Sequence, residues 1–420
     1  MTPEIKQRIE QIRRGEVPER YVKTALGLAP ANWKRYTFGD IYTERKEPGD
    51  ENLPLLMVSI HSGVSDGEVD AAELPKQVKR IEDKSQYKKA VSGDLVFNMM
   101  RAWQGAIGTV RTTGMVSPAY IVAEPNDKVY PLFMDYYSRT PQMINQIDRQ
   151  SYGVTDFRKR LYWDSFAPIS CTLPPIEEQQ KIAAILTTQD KVIELKENRL
   201  AEKQRQKKYL MQQLLTGKKR LPGFNGTWEK EKLGKCASMC SGGTPDTKNE
   251  KYYGNDYIWI SIKDMTSAGK YTCSSERGLT EAGLLNCSAR LFPKGTILFA
   301  MYASIGECSI AETECCSSQA ILGIEPDSKL NNEFLYYLLS NSKGYFKSFG
   351  QASSQPNLNK GIVQSIVVQI PEIEEQAAIA EVLSAADREI ELLRQDIEQE
   401  KQKKKALMQL LLTGIVRVKT

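Results

Sequence analysis

One histidine, His61, is all the imidazole this chain of 420 residues has, so acid–base mechanisms built on that group are excluded or rest on one residue. His61 lies between Ile60 and Ser62 in a stretch that reads as strand, and it is expected to be an ordinary strand or turn residue. No G-x-x-x-x-G-K-[ST] phosphate loop is present: Gly217-Lys218-Lys219 and Gly234-Lys235-Cys236 both fail at the Ser/Thr position. Also missing are a G-x-G-x-x-G dinucleotide turn, an H-E-x-x-H helix and a G-x-S-x-G nucleophile elbow. The eight cysteines form no C-x-x-C pair, and Cys171 stands alone in the first half. Cys236 with Cys240, or Cys315 with Cys316, are conceivable metal pairs, but small reduced thiols are the expected reading. No apolar run of 18 residues occurs, and the opening MTPEIKQRIEQIRRGEVPER has no apolar signal stretch, so a cytoplasmic protein without a membrane partner is expected. Large charge excess is absent too. Lys and Arg number 57 against 52 Asp and Glu, a net +5, so any nucleic-acid surface must come from local clustering.

What is present is an internal repeat in a chain long enough for two or three units. Pro174-Pro175-Ile176-Glu177-Glu178-Gln179 returns 197 residues later as Pro371-Glu372-Ile373-Glu374-Glu375-Gln376. At that same offset Asp190 matches Asp387, Ile193-Glu194-Leu195 matches Ile390-Glu391-Leu392, and Leu214-Leu215-Thr216-Gly217 matches Leu411-Leu412-Thr413-Gly414. Both copies open with proline and acidic residues and close on glycine, with neither Pro nor Gly inside, which predicts one uninterrupted helix each. Steps of four and three mark a heptad seam. In the first copy it runs Ile182, Leu186, Gln189, Ile193, Lys196, Leu200, Lys203, Lys207, Leu210, Leu214; in the second, Ile379, Leu383, Ala386, Ile390, Leu393, Ile397, Glu400, Lys404, Leu407, Leu411. A helix of about 40 residues is ~60 Å long and needs a partner for its one apolar face. The other copy is the simplest partner, antiparallel so that both seams are buried at once. Pro3 to Arg14 is expected to form a helix beside the C-terminal one, because Gln11-Ile12-x-x-Gly15 mimics Gln213-Leu214-x-x-Gly217.

Five segments follow: an N-terminal helical segment (1–31), a globular part (32–173), a central helix (174–217), a second globular part (218–370) and a C-terminal helix (371–420). The globular parts repeat weakly. Gly93-Asp94-Leu95-Val96-Phe97 answers Gly295-Thr296-Ile297-Leu298-Phe299, Ala106-Ile107-Gly108 answers Ser304-Ile305-Gly306, Glu124-Pro125 answers Glu325-Pro326, and Tyr136-Tyr137 answers Tyr336-Tyr337. Short β-type runs such as Ile258-Trp259-Ile260-Ser261-Ile262 and Ser365-Ile366-Val367-Val368, with amphipathic helices around 132–137 and 334–339, predict a mixed α+β fold.

These features resemble the specificity subunit of type I restriction-modification enzymes. The resemblance rests on the doubled Pro-x-Ile-Glu-Glu-Gln followed by a long helix ending Leu-Leu-Thr-Gly. It also rests on the entries Trp33 to Gly39 and Trp228 to Gly234, on Gly242-Gly243-Thr244-Pro245 with Tyr257-Ile258-Trp259-Ile260, and on Gln355-Pro356-Asn357-Leu358-Asn359-Lys360. The first half departs there, with Tyr152-Gly153-Val154-Thr155-Asp156-Phe157-Arg158 in place of that last segment. The resemblance implies two target-recognition domains separated by two long helices in an antiparallel coiled coil. It implies a non-catalytic subunit that reads a bipartite, asymmetric sequence in double-stranded DNA, one half-site per domain. The implied partners are two methyltransferase subunits, docked on the helix pair, and restriction/translocase subunits. S-adenosylmethionine, ATP and magnesium would belong to those partners, and no cofactor to this chain. The absence of an Asn/Asp-Pro-Pro-aromatic motif agrees and speaks against the alternative of a fused methyltransferase-nuclease; a coiled-coil scaffold without DNA affinity is the other alternative.

Base readout needs Arg, Lys, Asn or Gln on loops, with aromatic support. The candidates are Arg101, Trp103, Gln104, Tyr152, Thr155, Arg158 and Lys159 in the first domain, and Lys263, Tyr302, Ser304, Ser354, Gln355, Asn357, Asn359 and Lys360 in the second. For the docking helices the candidates are Ile182, Leu186, Ile193, Leu200, Leu210, Ile379, Leu383, Ile390, Leu393, Ile397 and Leu407. Basic clusters at Lys203, Arg205, Lys207, Lys208, Lys218, Lys219, Arg220 and at Lys401, Lys403, Lys404, Lys405, Arg417, Lys419 are read equally as phosphate contacts or as solvated helix faces.

Overall fold

The structure, a computed structural model, describes residues 3–24, 27–50, 52–60, 63–65, 86–153, 158–346 and 358–418; His61 lies outside them. The two repeat segments are helices of 39 and 40 residues, Ile176–Leu214 and Ile373–Leu412. The chain divides into two compact units, one of Met1–Lys196 with Asp396–Thr420, the other of Glu197–Gln395. The division falls inside both long helices. Burial explains it. Ile182, Ala183 and Leu186 share one core with Leu411 and Leu412, while Leu214 and Leu215 share the other with Ile379, Ala380 and Leu383.

In the first unit the central sheet is antiparallel, in the order Tyr42–Glu44, Tyr120–Pro125, Leu95–Asn98, Ile107–Thr109. Its apolar face packs on Pro131–Tyr137 and on a Phe38, Phe97, Phe166 cluster with ring centroids 4.3 and 4.5 Å apart. Helix Pro3–Arg13 also belongs to this unit: Arg8 Nη1 donates to the carbonyl of Ile415 at 3.1 Å, and Tyr21 Oη to that of Gly414 at 2.7 Å. The second unit repeats the sheet in the order Ala237–Ser241, Ile321–Pro326, Ile297–Ala300, Cys308–Ala311, and adds a fifth, parallel strand, Tyr271–Thr272. In both units the last strand before the long helix pairs with the strand after the entry tryptophan, Ser170–Leu173 with Lys34–Thr37 and Val367–Ile370 with Glu229–Lys232.

Register corrects two of the sequence echoes. Phe97 faces Ile107 and Phe299 faces Cys308, so the counterpart of Ala106-Ile107-Gly108 is Glu307-Cys308-Ser309, not Ser304-Ile305-Gly306. The left-handed glycines that end the two turns, Gly105 (φ 102°) and Gly306 (φ 81°), then coincide. Likewise Tyr136 corresponds to Tyr337 and not to Tyr336, because these two hydroxyls reach Asp190 and Asp387, the matched acids of the long helices. Weak similarity between short motifs could not show the slip; strand pairing and side-chain direction did.

The structure also gives the repeated hexapeptide its physical meaning. Glu178 and Glu375 are buried, and each takes two hydrogen bonds from one arginine and one from an entry tryptophan. Arg417 donates to Glu178 at 2.7 and 2.7 Å with Trp33 Nε1 at 3.3 Å; Arg220 donates to Glu375 at 2.6 and 2.6 Å with Trp228 Nε1 at 3.2 Å. The neighbouring glutamines tie loops. Gln179 accepts from the backbone of Tyr130 and donates to the carbonyls of Lys128 and Pro174, and Gln376 does the same with Asn331, Lys329 and Pro371. A buried carboxylate is tolerable only when paired and hydrogen-bonded, which accounts for the fixed Glu, Arg and Trp. At the other end Gly217 and Gly414 adopt φ 67° and 72°, and Lys219 and Val416 close the helices by bonding back to Gln213 and Leu410.

Candidate nucleic-acid interface

In both units a turn between the two central strands is brought beside a second loop by the same backbone bond. Leu161 N donates to Met99 O at 2.9 Å in the first unit, and Leu358 N donates to Met301 O at 3.1 Å in the second. In the first unit the turn carries exposed Arg101 and Gln104 with half-buried Trp103, whose Nε1 donates to Met100 O. The second loop supplies Tyr152, exposed at 58%, and exposed Arg158. Lys159 joins the two: its ammonium lies 5.0 Å from the Trp103 ring centroid and pairs with Asp148 at 2.8 Å. A Cβ at Gly153 would fall 2.4 Å from Arg158 O, so only glycine lets this loop close on itself. Thr155 lies outside the described residues.

In the second unit the turn carries half-buried Tyr302 and Ser304 around exposed Ala303, a non-glycine residue at φ 55°. Met301 and Ile305 on either side are buried in the core. Ser354, Gln355 and Asn357 lie outside the described residues. Asn359 caps helix Lys360–Ser365 by accepting from Ile362 N at 2.9 Å, and Lys360 is exposed. Lys263 stands on a different element, helix Ile262–Ala268, where Glu276 pairs with it at 2.6 Å and raises its pKa. The Gly242-Gly243-Thr244-Pro245 segment is a fixed shelf: Trp259 Nε1 donates to Gly243 O, Tyr253 Oη to Pro245 O, and a Cβ on either glycine would strike backbone at 2.2 Å.

The long-helix residues form antiparallel seams within each unit. In the first, Gln189 donates to Glu400 at 2.6 Å, Lys196 pairs with Asp396 and Glu400 at 2.8 and 2.9 Å, and Lys404 meets Asp190 at 2.5 Å. In the second, Lys203 pairs with Glu389 at 2.9 Å, and Lys207 pairs with Asp387. The polar seam positions therefore match across the helices, which fixes register. Ile182, Leu186, Ile193, Ile379, Leu383, Ile390 and Ile397 are buried, and Leu200, Leu210, Leu393 and Leu407 half-buried. They hold the helices and present little surface to a partner. The large apolar residues left open on the outer faces are Ile176, Ile185, Leu195, Tyr209, Ile373 and Leu392, and sequence reasoning passed over them as docking residues. A signal existed: Ile176 with Ile373 and Leu195 with Leu392 recur at the 197-residue offset, outside the seam.

Of the basic clusters, Lys203, Lys207, Arg220, Lys403, Lys404 and Arg417 are paired inside their own units. Lys207 is thus already ion-paired within its own unit; Arg205, Lys208, Lys218, Lys219 and Lys405 remain exposed, and Lys419 lies outside the described residues. All eight cysteines are thiols, with burial pushing Cys171 up to about 12, and no His, Cys, Asp and Glu grouping among the described residues could hold a metal. No described helix is long and apolar enough to cross a membrane.

Two similar units, each with a turn set beside a second loop and each holding part of both long helices, make this an internally duplicated α+β protein, and comparison with known proteins gives its family. The model of the type I restriction modification DNA specificity domain matches residues 72–204 and 225–402, and the chain belongs to that family. It is 25% identical to the putative type I restriction enzyme MjaX specificity subunit of Methanocaldococcus jannaschii, over 96% of this chain and 98% of that one. It is 35% identical to the MjaIX specificity subunit of the same organism over 39% of each chain. Among solved structures, the HsdS subunit from Thermoanaerobacter tengcongensis shares the fold at a TM-score of 0.52 and 20% identity, covering 92% of this chain and 98% of that one.

Proposed function

We propose that this specificity subunit reads a bipartite, asymmetric DNA target, one half-site with each unit, in a complex with two methyltransferase subunits and with restriction/translocase subunits. In this assembly the chain supplies recognition, and the partners supply catalysis, S-adenosylmethionine, ATP and magnesium. The observation that carries the reading is the doubled turn-and-loop surface joined by Leu161 to Met99 and Leu358 to Met301. Arg101, Trp103, Gln104, Tyr152, Arg158 and Lys159 are the readers of one half-site. Tyr302 and Ser304, with the adjoining segment that holds Ser354, Gln355, Asn357, Asn359 and Lys360, are those of the other. Polar and aromatic side chains carried on loops are what direct readout of base edges uses. Lys263, already paired with Glu276, is a flanking contact at most.

The methyltransferase subunits dock on the outer helix faces, at Ile176 with Leu195 and at Ile373 with Leu392. Exposed apolar residues repeated at one offset favour two equivalent sites. The test is methylation-site sequencing of cells that co-express the chain with its methyltransferase partner. Arg101→Ala with Gln104→Ala should relax one half of the methylated motif, with about 1–3 kcal/mol of discrimination lost per bidentate contact, and Tyr302→Ala should relax the other. If both sets leave the motif unchanged, the turns are structural and the assignment fails.

A further inference from the structure

In each unit one carboxylate joins three elements. Asp190, on the first long helix, accepts from Tyr136 Oη at 2.7 Å and pairs with Lys404 of the second long helix at 2.5 Å. Tyr136 belongs to helix Pro131–Tyr137 of the recognition fold, and the Lys404 ammonium also lies 5.5 Å from its ring centroid. The second unit repeats the joint: Asp387 accepts from Tyr337 at 2.6 Å and pairs with Lys207, which lies 5.6 Å from the Tyr337 ring centroid. Asp190 with Asp387, and Lys207 with Lys404, recur at the 197-residue offset.

We infer that these two Tyr–Asp–Lys joints are positioning elements that set each recognition fold on the helix pair, and through it the spacer length accepted between half-sites. The inference rests on the two-half-site reading proposed above. Apolar helix packing tolerates sliding and rotation, whereas these half-buried, charge-assisted hydrogen bonds hold one geometry. One residue of slide along a helix is ~1.5 Å, and one base pair is ~3.4 Å along DNA. Releasing the joint therefore frees a movement on the order of the change in spacer that the complex must reject.

The two joints differ in strength. In the second unit Lys270 adds bonds to Tyr337 Oη at 2.9 Å, Ser384 Oγ at 2.8 Å and Glu333 at 3.0 Å, and Glu333 bonds Ser384 at 2.6 Å. In the first unit the place of Glu333 is held by Leu132, and among the described residues the Tyr136 hydroxyl bonds Asp190 and Thr187. The first recognition fold is therefore the more compliant one.

Tyr136→Phe and Tyr337→Phe, in the full chain with its methyltransferase partners, test this by methylation-site sequencing. Tyr136→Phe should keep the bases of both half-sites and raise methylation of motifs with a spacer one base pair longer or shorter at least tenfold. Tyr337→Phe should raise it less than threefold. Asp190→Asn, which loses the Lys404 pair but keeps the volume, should follow Tyr136→Phe and covers the case in which that variant fails to fold. Unchanged spacer selectivity in folded Tyr136→Phe and Asp190→Asn overturns the inference, as does a change in the bases read, since a positioning group should not alter them. A wild-type complex that methylates no bipartite motif overturns the two-half-site reading, and this inference with it.

Discussion

Removing the Glu178 carboxylate tests whether the repeated hexapeptide is a structural hub. In Glu178→Ala, Arg417 loses two bonds of 2.7 Å and Trp33 Nε1 one of 3.3 Å. The carboxylate side chain is 1% exposed and that of Arg417 32%. Breaking a buried pair by deleting one partner costs about 3–5 kcal/mol because a charge is stranded. Arg417 can regain water on its open side, which puts the cost at the low end, about 3 kcal/mol, or roughly 100-fold in a local opening equilibrium. The cost should fall on one unit only, since residues 33, 178 and 417 all lie within Met1–Lys196 and Asp396–Thr420. Hydrogen exchange read by peptide should show it: amides of Lys34–Thr37 and of the end of the C-terminal helix exchange roughly 100-fold faster, while those of Glu197–Gln395 keep their rates. Glu178→Gln, which keeps acceptor and volume but not charge, should fall between. If Glu178→Ala changes exchange in its own unit by less than about threefold, the carboxylate is not a hub and the reading of the motif is wrong.

Four further outcomes follow from the same contacts. Glu400, held down to about 2 by the Gln189 hydrogen bond and the Lys196 ammonium, stabilises its unit fully above its ordinary value of 4.5 and loses that contribution as pH falls towards 2. Glu400→Gln should remove the corresponding drop in melting temperature between about pH 5 and 3, read by circular dichroism. Gly414→Ala should destabilise more than Gly217→Ala, because both meet a left-handed backbone but only the Gly414 Cβ would strike a ring carbon of Pro30, at 2.5 Å; a thermal melt that ranks them the other way refutes this. Leu195→Asp and Leu392→Asp should each remove one methyltransferase subunit from the complex by light scattering without changing the melting temperature, since both side chains are exposed, at 59% and 65%. Lys207→Ala should leave the salt slope of DNA binding unchanged, because its charge is already neutralised by Asp387; a slope lower by about one unit would make it a phosphate contact after all.

Much of this protein is written along the chain. Long helices need only an unbroken run with proline before and glycine after, and an offset of 197 residues exposes the duplication without any knowledge of contacts. Short alternating runs in the same order twice give the mixed fold of the two recognition parts. The same offset also matches Arg220 with Arg417 and Lys207 with Lys404, so the sequence carried the signal for their structural pairing, where charge clustering alone offered phosphate contacts or solvated helix faces. Tertiary structure alone decided the rest. Whether a lysine faces a phosphate or an aspartate depends on what lies across the helix, and for Lys207 that is Asp387, 180 positions away in the chain. The true counterparts of Ile107 and Tyr136, namely Cys308 and Tyr337, came from strand register and from a hydroxyl reaching an acid, both of which are distances in space. The limits of the compact units were set by where apolar faces find cover, and each unit finds it on half of both helices, a partition that sequence order cannot express.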